Sequence, residues 1–342
     1  MSPTNNYQYG IILPVKNGGA YVKECVNSIL SQTHKEFNLI VLDNYSTDDT
    51  VAWLKELDDN RITIHTADHP LSMEANWARI TATEKNEFIT IIGHDDLLHP
   101  NYLSVMNALI KKHPQASLYQ AHFNFINDKG ILVRHCHPMQ EKQYAFEFLE
   151  CEMNRTMDST GTGYMMRSRD YDAAGGISPL YPNLIFADYE LWIKLILVSY
   201  KATAAEEAFS YRLHNSASRL TNGEAYQQAF GRYISFLAAC RLNDAGIAAT
   251  IDKHAKKMLL FFCESLSHRL LKTPKNDRVA TVGAFIGQCR SYARLLIPGQ
   301  QFRPLLKLRI FAAYLLDNKI GLTLFAFFKS GSPKIKKQPD QS

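Results

Sequence analysis

The sequence predicts an α/β fold with a mostly parallel central sheet, followed by a helical C-terminal region. From residue 9 to about residue 125, short runs rich in β-branched and aromatic residues alternate with stretches whose apolar residues have helical spacing. Strands that alternate with helices are typical of parallel sheets, because a parallel pair needs a crossover connection. From about residue 224 onward the sequence has no strand-like runs, which favours an all-helical end.

Each element follows from its own pattern of residues. The predicted strands of the first part are YGIILPV, FNLIVLD, RITIHT, EFITIIG and ASLYQAHF, and the helices between them are AYVKECVNSILSQ, DDTVAWLKEL, MEANWARITAT and NYLSVMNALIKK. Further on, NFINDKGILV predicts a hairpin, GTGYMMRS and AFSYRLH predict strands, and DYELWIKLILVS predicts a helix. The amphipathic helices predicted at the end are EAYQQAFGRYISFLAACRLND, IDKHAKKMLLFFCESLSHRLL and VATVGAFIGQCRSYARLL.

The composition is that of an ordinary globular protein, with 46% apolar and 21% charged residues among 342. The formal net charge of +5 lies in the tail, since residues 301–342 carry eight Lys/Arg and two Asp/Glu. The first 300 residues therefore carry a net charge of −1, and we expect no nucleic-acid partner for the main body.

Cysteine usage and the N-terminal segment predict a cytoplasmic protein. The six cysteines are far apart and include no Cys-x-x-Cys pair, which favours reduced and mostly buried thiols. The N-terminus MSPTNNYQYG is polar and lacks a signal-peptide pattern. No apolar run approaches the ~20 residues that span a bilayer.

The first candidate site residue is Asp43, at the end of the apolar strand FNLIVL. In parallel α/β sheets, ligands bind outside the carboxyl ends of the strands. A carboxylate at that edge can accept hydrogen bonds from a base or a ribose. The run Ser46-Thr47-Asp48 predicts the cap of the next helix, so a turn-closing role for Asp43 is the alternative.

The second candidate site is the acidic run IIGHDDLLHP, where the buried strand EFITIIG ends in His94, Asp95 and Asp96. Adjacent carboxylates repel each other, and their position at the exit of a buried strand favours a neutralising cation. Oxygen ligands of this kind suit Mg²⁺ or Mn²⁺, which in turn hold a diphosphate. The alternative is a cap for the following helix, which Pro100 opens.

These motifs belong to a longer series that resembles glycosyltransferase family 2 enzymes of the GT-A fold, of the bacterial surface-polysaccharide type. YGIILPVKNGGAYVKECVNSILSQTHKEFNLIVLDNYSTDDT looks like the opening of such enzymes, and EANWARITATEKNEFITIIGHDDLLHPNYL resembles their bacterial branch. GYMMRSRDYDAAGGIS, ADYELWIKL and YRLHNSASRL resemble the later landmarks, so that the resemblance covers about residues 9–220 in order and spacing.

The resemblance implies a domain organisation. Residues 1–222 would form a GT-A catalytic domain, with a donor half at about 9–125 and an acceptor half at about 126–222. Residues 223–342 would form a helical region that ends in a basic amphipathic tail.

The resemblance also implies roles for single residues. The donor nucleotide would be bound by Pro14, Val15, Asn17, Asp43, Asn76, Arg79 and Asp95. Asp96 would bind the metal, Mn²⁺ or Mg²⁺, with His94 and His214 as further candidate ligands. Because His94 takes the place of the usual first acid, the metal would be bound more weakly or through water. The alternatives are an exposed helix position for Arg79 and a turn position for His214.

Asp188 falls where enzymes of this family keep the catalytic base. The acid that often precedes the base is Ala187 here, and the missing like charge predicts a less perturbed pKa for Asp188. Trp192, one turn further on, has the apolar spacing of a core residue. No metal site is expected in the segment His135-Cys136-His137, because alternate residues of a strand face opposite sides and no fourth ligand is evident.

The implied activity is a metal-dependent, inverting transfer of a sugar from a nucleoside-diphosphate donor, with a UDP-sugar expected. The acceptor would be a hydroxyl of a saccharide or of a lipid-linked molecule in cell-surface polysaccharide synthesis. One alternative is a sugar-nucleotide pyrophosphorylase, which would need a basic Gly-rich loop where LPVKNGGAY stands. The other is a catalytically degenerate scaffold, which His94 and Ala187 favour.

The tail FRPLLKLRIFAAYLLDNKIGLTLFAFFKSGSPKIKKQ interleaves basic and large apolar residues. This pattern is typical of interfacial helices, and anionic lipid would attract it. It predicts a peripheral position on the inner face of the cytoplasmic membrane, with a helix packed on the catalytic domain as the alternative.

Overall fold

The computed structural model describes residues 8–213, 223–273, 278 and 280–317. The chain forms two compact units, Met1–Thr250 and Ile251–Ser342. The first unit contains the whole sheet together with the helix Gly223–Asn243. The domain boundary between residues 222 and 223 stays a prediction.

The described elements are ten strands and eleven α-helices, with two short 3-10 helices at Pro182–Leu184 and Pro304–Leu306. The strands are β1 Tyr9–Val15, β2 Phe37–Asp43, β3 Ile62–Thr66, β4 Phe88–Ile91, β5 Leu97–Leu98, β6 Leu118–Ile126, β7 Leu132–His135, β8 Lys142–Gln143, β9 Met165–Arg167 and β10 Lys201–Arg212. The helices are α1 Gly19–Leu30, α2 Thr50–Glu56, α3 Met73–Ala82, α4 Tyr102–Lys112, α5 Ala145–Asn154, α6 Ser168–Ala173, α7 Ala187–Val198, α8 Gly223–Asn243, α9 Ala245–Lys272, α10 Val282–Leu296 and α11 Leu308–Leu316.

The strands form one mixed sheet in the order β3-β2-β1-β4-β9-β6-β10-β5, with β7 paired to β6 and β8 to β10. The pairs β3-β2, β2-β1, β1-β4 and β6-β10 are parallel. The strands β5, β7, β8 and β9 add antiparallel pairs. The predicted α/β class is confirmed, and the sheet is mostly parallel in the sense that its longer strand pairings are the parallel ones.

Burial explains why the first half folds as predicted. All seven residues of β1 are buried, as expected for a central parallel strand covered on both faces. In α1, the buried residues Val22, Cys25, Val26 and Ile29 follow helical spacing and form the face that packs on the sheet. The helix α3 begins where the Ser72 hydroxyl accepts a hydrogen bond from the Ala75 amide.

The last strand, β10, is longer than the sequence predicted. AFSYRLH predicts a start near Ala208, whereas β10 begins at Lys201 and its register with β6 shifts between Ala204 and Phe209. Lys201 is buried, and its ammonium group donates to Gln120 Oε1 at 2.8 Å. A buried lysine at a strand start has the sequence pattern of a surface residue, so the first half of β10 was missed.

The C-terminal helices confirm the predicted change to an all-helical pattern within 223–273 and 280–317. In the second unit, Asp317 accepts hydrogen bonds from Arg278 Nη1 and from the Val282 amide, both at 2.6 Å. The six cysteines are free thiols, five of them buried. No helix among the described residues combines the length and the apolar character needed to cross a membrane.

Candidate active site

The carboxyl ends of the parallel strands meet at one edge of the sheet, and the predicted donor residues lie there. Pro14 and Val15 end β1 and pair in register with Leu42 and Asp43 of β2. The acidic run follows β4 on the other side of β1. Parallel strands thus bring residues about 50 positions apart to one edge, as the sequence predicted.

Asp43 is buried where β2 ends, and the Ser46 amide donates to its two carboxylate oxygens at 3.3 and 3.2 Å. Asn17 connects the neighbouring loop to this turn. Its backbone amide donates to Ser46 Oγ at 2.9 Å, and its side-chain Oδ1 accepts from the Thr47 backbone amide at 2.8 Å. Asn17 has a φ of +50°, a left-handed conformation that asparagine tolerates better than most residues. The predicted residues Asn17 and Asp43 therefore shape one continuous loop surface.

Asn76 and Arg79, on α3, lie behind this loop surface. The Asn76 amide group donates to the Leu42 carbonyl at 3.1 Å. Arg79 donates to the Asp43 carbonyl at 2.9 Å through Nη1 and to the His65 carbonyl at 2.7 Å through Nη2. The guanidinium of Arg79 therefore supports the ends of β2 and β3, and its contact with a diphosphate stays a prediction.

The Asp96 carboxylate is almost completely buried, with 2% of the residue exposed. The Thr162 hydroxyl donates to its Oδ2 at 2.6 Å, and the Arg212 amide donates to its Oδ1 at 2.9 Å. Burial, and next the charge of Asp95, raise the pKa of Asp96 well above its usual range. Both partners of Asp96 lie more than 60 residues away in sequence.

The two adjacent carboxylates converge over Gly93. A Cβ atom on Gly93 would lie 2.8 Å from Asp95 Oδ1 and 3.2 Å from Asp96 Oδ2, so a larger residue there would displace the Asp95 carboxylate. His94 is half-buried in the turn between Gly93 and Asp95. His214 lies outside the described residues. Within 8–213, 223–273, 278 and 280–317, no group of three His, Cys, Asp or Glu side chains surrounds a single metal position.

The predicted base, Asp188, lies in the first turn of α7 and is partly exposed. A Cβ atom on Gly161 would lie 3.5 Å from Asp188 Oδ2. Because Thr162 contacts Asp96, the short loop 160–163 touches both the acidic run and the predicted base. The Trp192 indole, buried as predicted, donates to the Thr160 carbonyl at 3.1 Å and fixes the start of this loop.

Burial raises the pKa of Asp188 to about 6. The sequence predicted a less perturbed carboxyl, because the like charge at residue 187 is missing. The structure differs because desolvation, rather than a neighbouring acid, is the main cause of the shift. A carboxylate with this pKa is mostly ionised at neutral pH, as a general base requires.

Two residues near these carboxylates were missed from the sequence. Glu152 of α5 accepts a hydrogen bond from the Tyr233 hydroxyl of α8, and burial raises the pKa of Glu152 to about 8. Arg212 ends β10 with a completely buried side chain beside Asp95. A signal for Arg212 was present, because it stands within the landmark YRLHNSASRL, whereas α5 itself was not predicted.

His135 and His137 pair with different acids on the surface. His135 Nδ1 hydrogen-bonds Glu207, and His137 Nδ1 lies 2.8 Å from Asp158 Oδ2. The thiol between them, Cys136, is buried. These contacts give each of the two imidazoles a protein partner.

Comparison with known proteins places this site in a family context. The family model described as Glycosyl transferase family 2 matches residues 10–174. A protein of Sinorhizobium fredii without an assigned activity is 25% identical over 224 residues, which are 61% of this chain and 24% of that protein. The Escherichia coli UDP-Glc:alpha-D-GlcNAc-diphosphoundecaprenol beta-1,3-glucosyltransferase WfgD is 25% identical over 194 residues, covering 56% of this chain and 71% of that enzyme. The chain thus spans about a quarter of the first of these relatives.

Among solved structures, S. aureus TarS in complex with UDP-GlcNAc is similar, with a TM-score of 0.56 and 15% sequence identity. The likeness covers 96% of this chain and 93% of that one. At this identity it shows a shared fold, and it confirms the GT-A fold that the resemblance implied.

Proposed function

Residues 10–174 match the glycosyl transferase family 2 model, and on that premise we propose that the protein transfers a sugar from a nucleoside diphosphate to an acceptor hydroxyl. The observation that carries the proposal is the loop 160–163, whose Thr162 bonds Asp96 and whose Gly161 faces Asp188. The loop thus touches both the proposed metal-binding acid, Asp96, and the proposed base, Asp188, whose pKa of about 6 suits that role.

The donor nucleotide would lie on the loop surface at the ends of β1 and β2. Asp43, held by the Ser46 amide, would accept hydrogen bonds from the base or ribose. Pro14, Val15 and Asn17 would form the floor. A UDP-sugar is the expected donor, which the UDP-GlcNAc complex of TarS supports by analogy.

The residues present fit a divalent cation, Mn²⁺ or Mg²⁺. Magnesium is usually bound by one or two carboxylates together with substrate phosphates, so a cluster of three protein ligands is not required. Asp96 and Asp95, converging over Gly93, supply such a pair, and His94 and His214 stay candidate ligands. When bound, the cation would neutralise charge on the departing diphosphate.

The reaction that fits is a single displacement. The acceptor hydroxyl attacks the anomeric carbon and transfers its proton to the Asp188 carboxylate, as general-base catalysis requires. The bond between the anomeric carbon and the phosphate oxygen breaks, and the nucleoside diphosphate leaves with that electron pair. Because attack and departure occur on opposite faces, the anomeric configuration inverts.

A donor screen tests the proposed activity. We expect nucleotide release from a UDP-sugar to increase at least several-fold on addition of Mn²⁺, in the presence of a mixed saccharide and lipid-linked acceptor pool. Isothermal titration should show tighter UDP binding in buffer that contains Mn²⁺ than in metal-free buffer that contains EDTA. Wild-type protein that binds no nucleoside diphosphate under either condition would support the scaffold alternative instead.

The acceptor proposed is a saccharide or a lipid-linked saccharide in cell-surface polysaccharide synthesis. The support comes from the relative WfgD, whose name gives a diphosphoundecaprenol-linked acceptor. A lipid-linked acceptor lies at a membrane surface. We therefore propose that this protein is cytoplasmic and binds to the inner face of the cytoplasmic membrane.

The start of the tail supports membrane contact. Exposed apolar side chains line the segment 306–315: Leu306, Leu308, Phe311, Tyr314 and Leu315. We expect full-length protein to float with vesicles of anionic lipid, and the double substitution Phe311→Glu with Leu315→Glu to reduce the bound fraction several-fold. Equal flotation of both proteins would favour the packed-helix alternative.

A further inference from the structure

Arg212 ends β10, and its guanidinium is completely buried. A buried cation is unfavourable unless its donors are paired, and here every guanidinium nitrogen donates. Nε donates to the Asp95 carbonyl at 2.7 Å, and Nη1 donates to the carbonyls of Asn127 and Asp128, both at 3.2 Å. Nη2 donates to Glu24 Oε2 at 2.6 Å.

These acceptors belong to three segments far apart in sequence. Asp95 lies in the acidic run, Asn127 and Asp128 form the turn of the β6–β7 hairpin, and Glu24 lies on α1. The ring of Tyr21, also on α1, packs 4.7 Å from the guanidinium carbon. One side chain therefore fixes the acidic run against both the hairpin and the first helix.

The backbone of Arg212 has a separate contact. Its amide donates to Asp96 Oδ1 at 2.9 Å, while its side chain holds the main chain of Asp95. A substitution of the side chain leaves the amide contact with Asp96 in place. The two contributions of this residue to the acidic run can therefore be separated by mutation.

We propose that Arg212 is a positioning residue that holds Asp95, and with it the carboxylate pair over Gly93, in the orientation that receives the donor diphosphate. This inference rests on the proposed function for the nature of the ligand. The guanidinium is buried and bonded only to protein oxygens. It therefore acts through the acidic run and does not touch the sugar donor.

The geometry requires arginine. A guanidinium is planar and sends N–H groups in three directions, whereas an ammonium group is a single charged point on a flexible stem. Lysine at this position would keep the charge but could not reach Asp95, the hairpin turn and Glu24 together. Arg212→Lys therefore separates a positioning role from a purely electrostatic one.

The test compares Arg212→Lys with wild-type protein by steady-state kinetics and by amide hydrogen exchange. We expect the donor KM and the half-saturating Mn²⁺ concentration to rise on the order of tenfold or more, because a misplaced carboxylate binds the diphosphate poorly. The acceptor KM should be unchanged. Amide exchange should accelerate together in residues 93–98 and 127–131.

Arg61→Lys is the matched control. Arg61 also makes a paired, partly buried contact, with Asp59, and lies over the Phe37 ring, but it stands just before the edge strand β3, away from the acidic run. It should lower stability without changing the donor KM. If Arg212→Lys is too unstable to purify, Glu24→Gln, which keeps an acceptor oxygen, should show a smaller rise of the donor KM in the same direction.

Wild-type donor KM and wild-type exchange in Arg212→Lys would overturn the proposal. A rise of donor and acceptor KM alike would also overturn it, because it indicates general loosening of the fold. If wild-type protein transfers no sugar from any donor, the proposed function fails on its own. Hydrogen exchange in the two segments then still decides whether Arg212 holds them together.

Discussion

Replacing Asp188 by Asn should lower the turnover number by about 10²–10⁴-fold, the usual contribution of a general base. The amide has nearly the same shape as the carboxylate, but it cannot take up the proton of the attacking hydroxyl group. Asp188 is at the start of α7 and faces Gly161, and it is not among the residues predicted to bind the nucleotide. The donor Kd should therefore stay within about twofold of wild type, since only the chemical step is affected.

The pH dependence gives a second readout for the same residue. Because the folded pKa of Asp188 is raised to about 6, this proposed base would be protonated and inactive below that pH and ionised above it. We expect kcat/KM of wild-type protein to rise with pH and level off above an apparent pKa near 6. The small residual activity of Asp188→Asn should lack this acid limb.

Glu190→Gln is the matched control for Asp188→Asn. Glu190 lies in the same first turn of α7, but it pairs with Lys194 and with the Tyr181 hydroxyl instead of facing Gly161. Its loss removes the same charge from the helix N-terminus and should leave turnover near wild type. Near-normal transfer by Asp188→Asn, or an equal loss in Glu190→Gln, would show that the base is another residue.

Replacing Asp96 by Asn should reduce kcat/KM on the order of 10²–10³-fold, as expected when charge stabilisation at the leaving group is lost. The folded protein should nevertheless be as stable as wild type or more stable. An amide can accept from the Arg212 amide with its oxygen and donate to the Thr162 hydroxyl with its nitrogen, so both contacts survive. Loss of activity without loss of Tm is the expected signature.

The direction of the stability change follows from the raised pKa of Asp96. Burial disfavours its anion, so the wild-type fold loses stability as pH rises above the ordinary carboxyl range. Asn carries no charge to bury, and its Tm should change less between pH 5 and pH 8 than that of wild type. Differential scanning calorimetry at several pH values measures this difference.

Asp59→Asn is a suitable comparison, because Asp59 pairs with Arg61 at the start of β3, away from the acidic run. Its loss should lower Tm slightly and leave transfer intact. If Asp96→Asn retained Mn²⁺-stimulated transfer, the metal would have to be bound elsewhere, and Asp96 would be purely structural. Activity and Tm lost in parallel would likewise contradict the expected separation.

Much of the fold could be predicted because local patterns and tertiary packing agree in the first half. β1 is apolar at every position except Gly10 and Pro14, and α1 has one apolar face that packs on it. Where the two disagree, prediction failed. Lys201 is buried at a strand start, with Gln120 as its hydrogen-bond partner, and no local pattern indicates such a pairing.

The site was predictable to the extent that it lies at strand ends. Asp43 and Asp96 could be placed at one edge because parallel strands share that edge. The partners of these acids could not be predicted. Arg212 and Glu24 are 188 residues apart in sequence, and only the completed sheet brings them together.

The prediction of a metal site from the repulsion between Asp95 and Asp96 was also incomplete. Two adjacent carboxylates favoured a metal cation, whereas the folded chain already supplies Asp96 with a hydroxyl from Thr162 and an amide from Arg212. These donors reduce the cost of burying the acid before any cation arrives. A pair of acids at a strand end is therefore weaker evidence for a metal than repulsion alone suggests.

The loop 160–163 has a consequence for how this protein can diversify. Because Thr162 bonds the proposed metal ligand Asp96 and Gly161 lies beside the proposed base Asp188, a substitution that moves this loop would alter both proposed sites at once. Descendants that acquire a new acceptor without losing their donor must vary elsewhere.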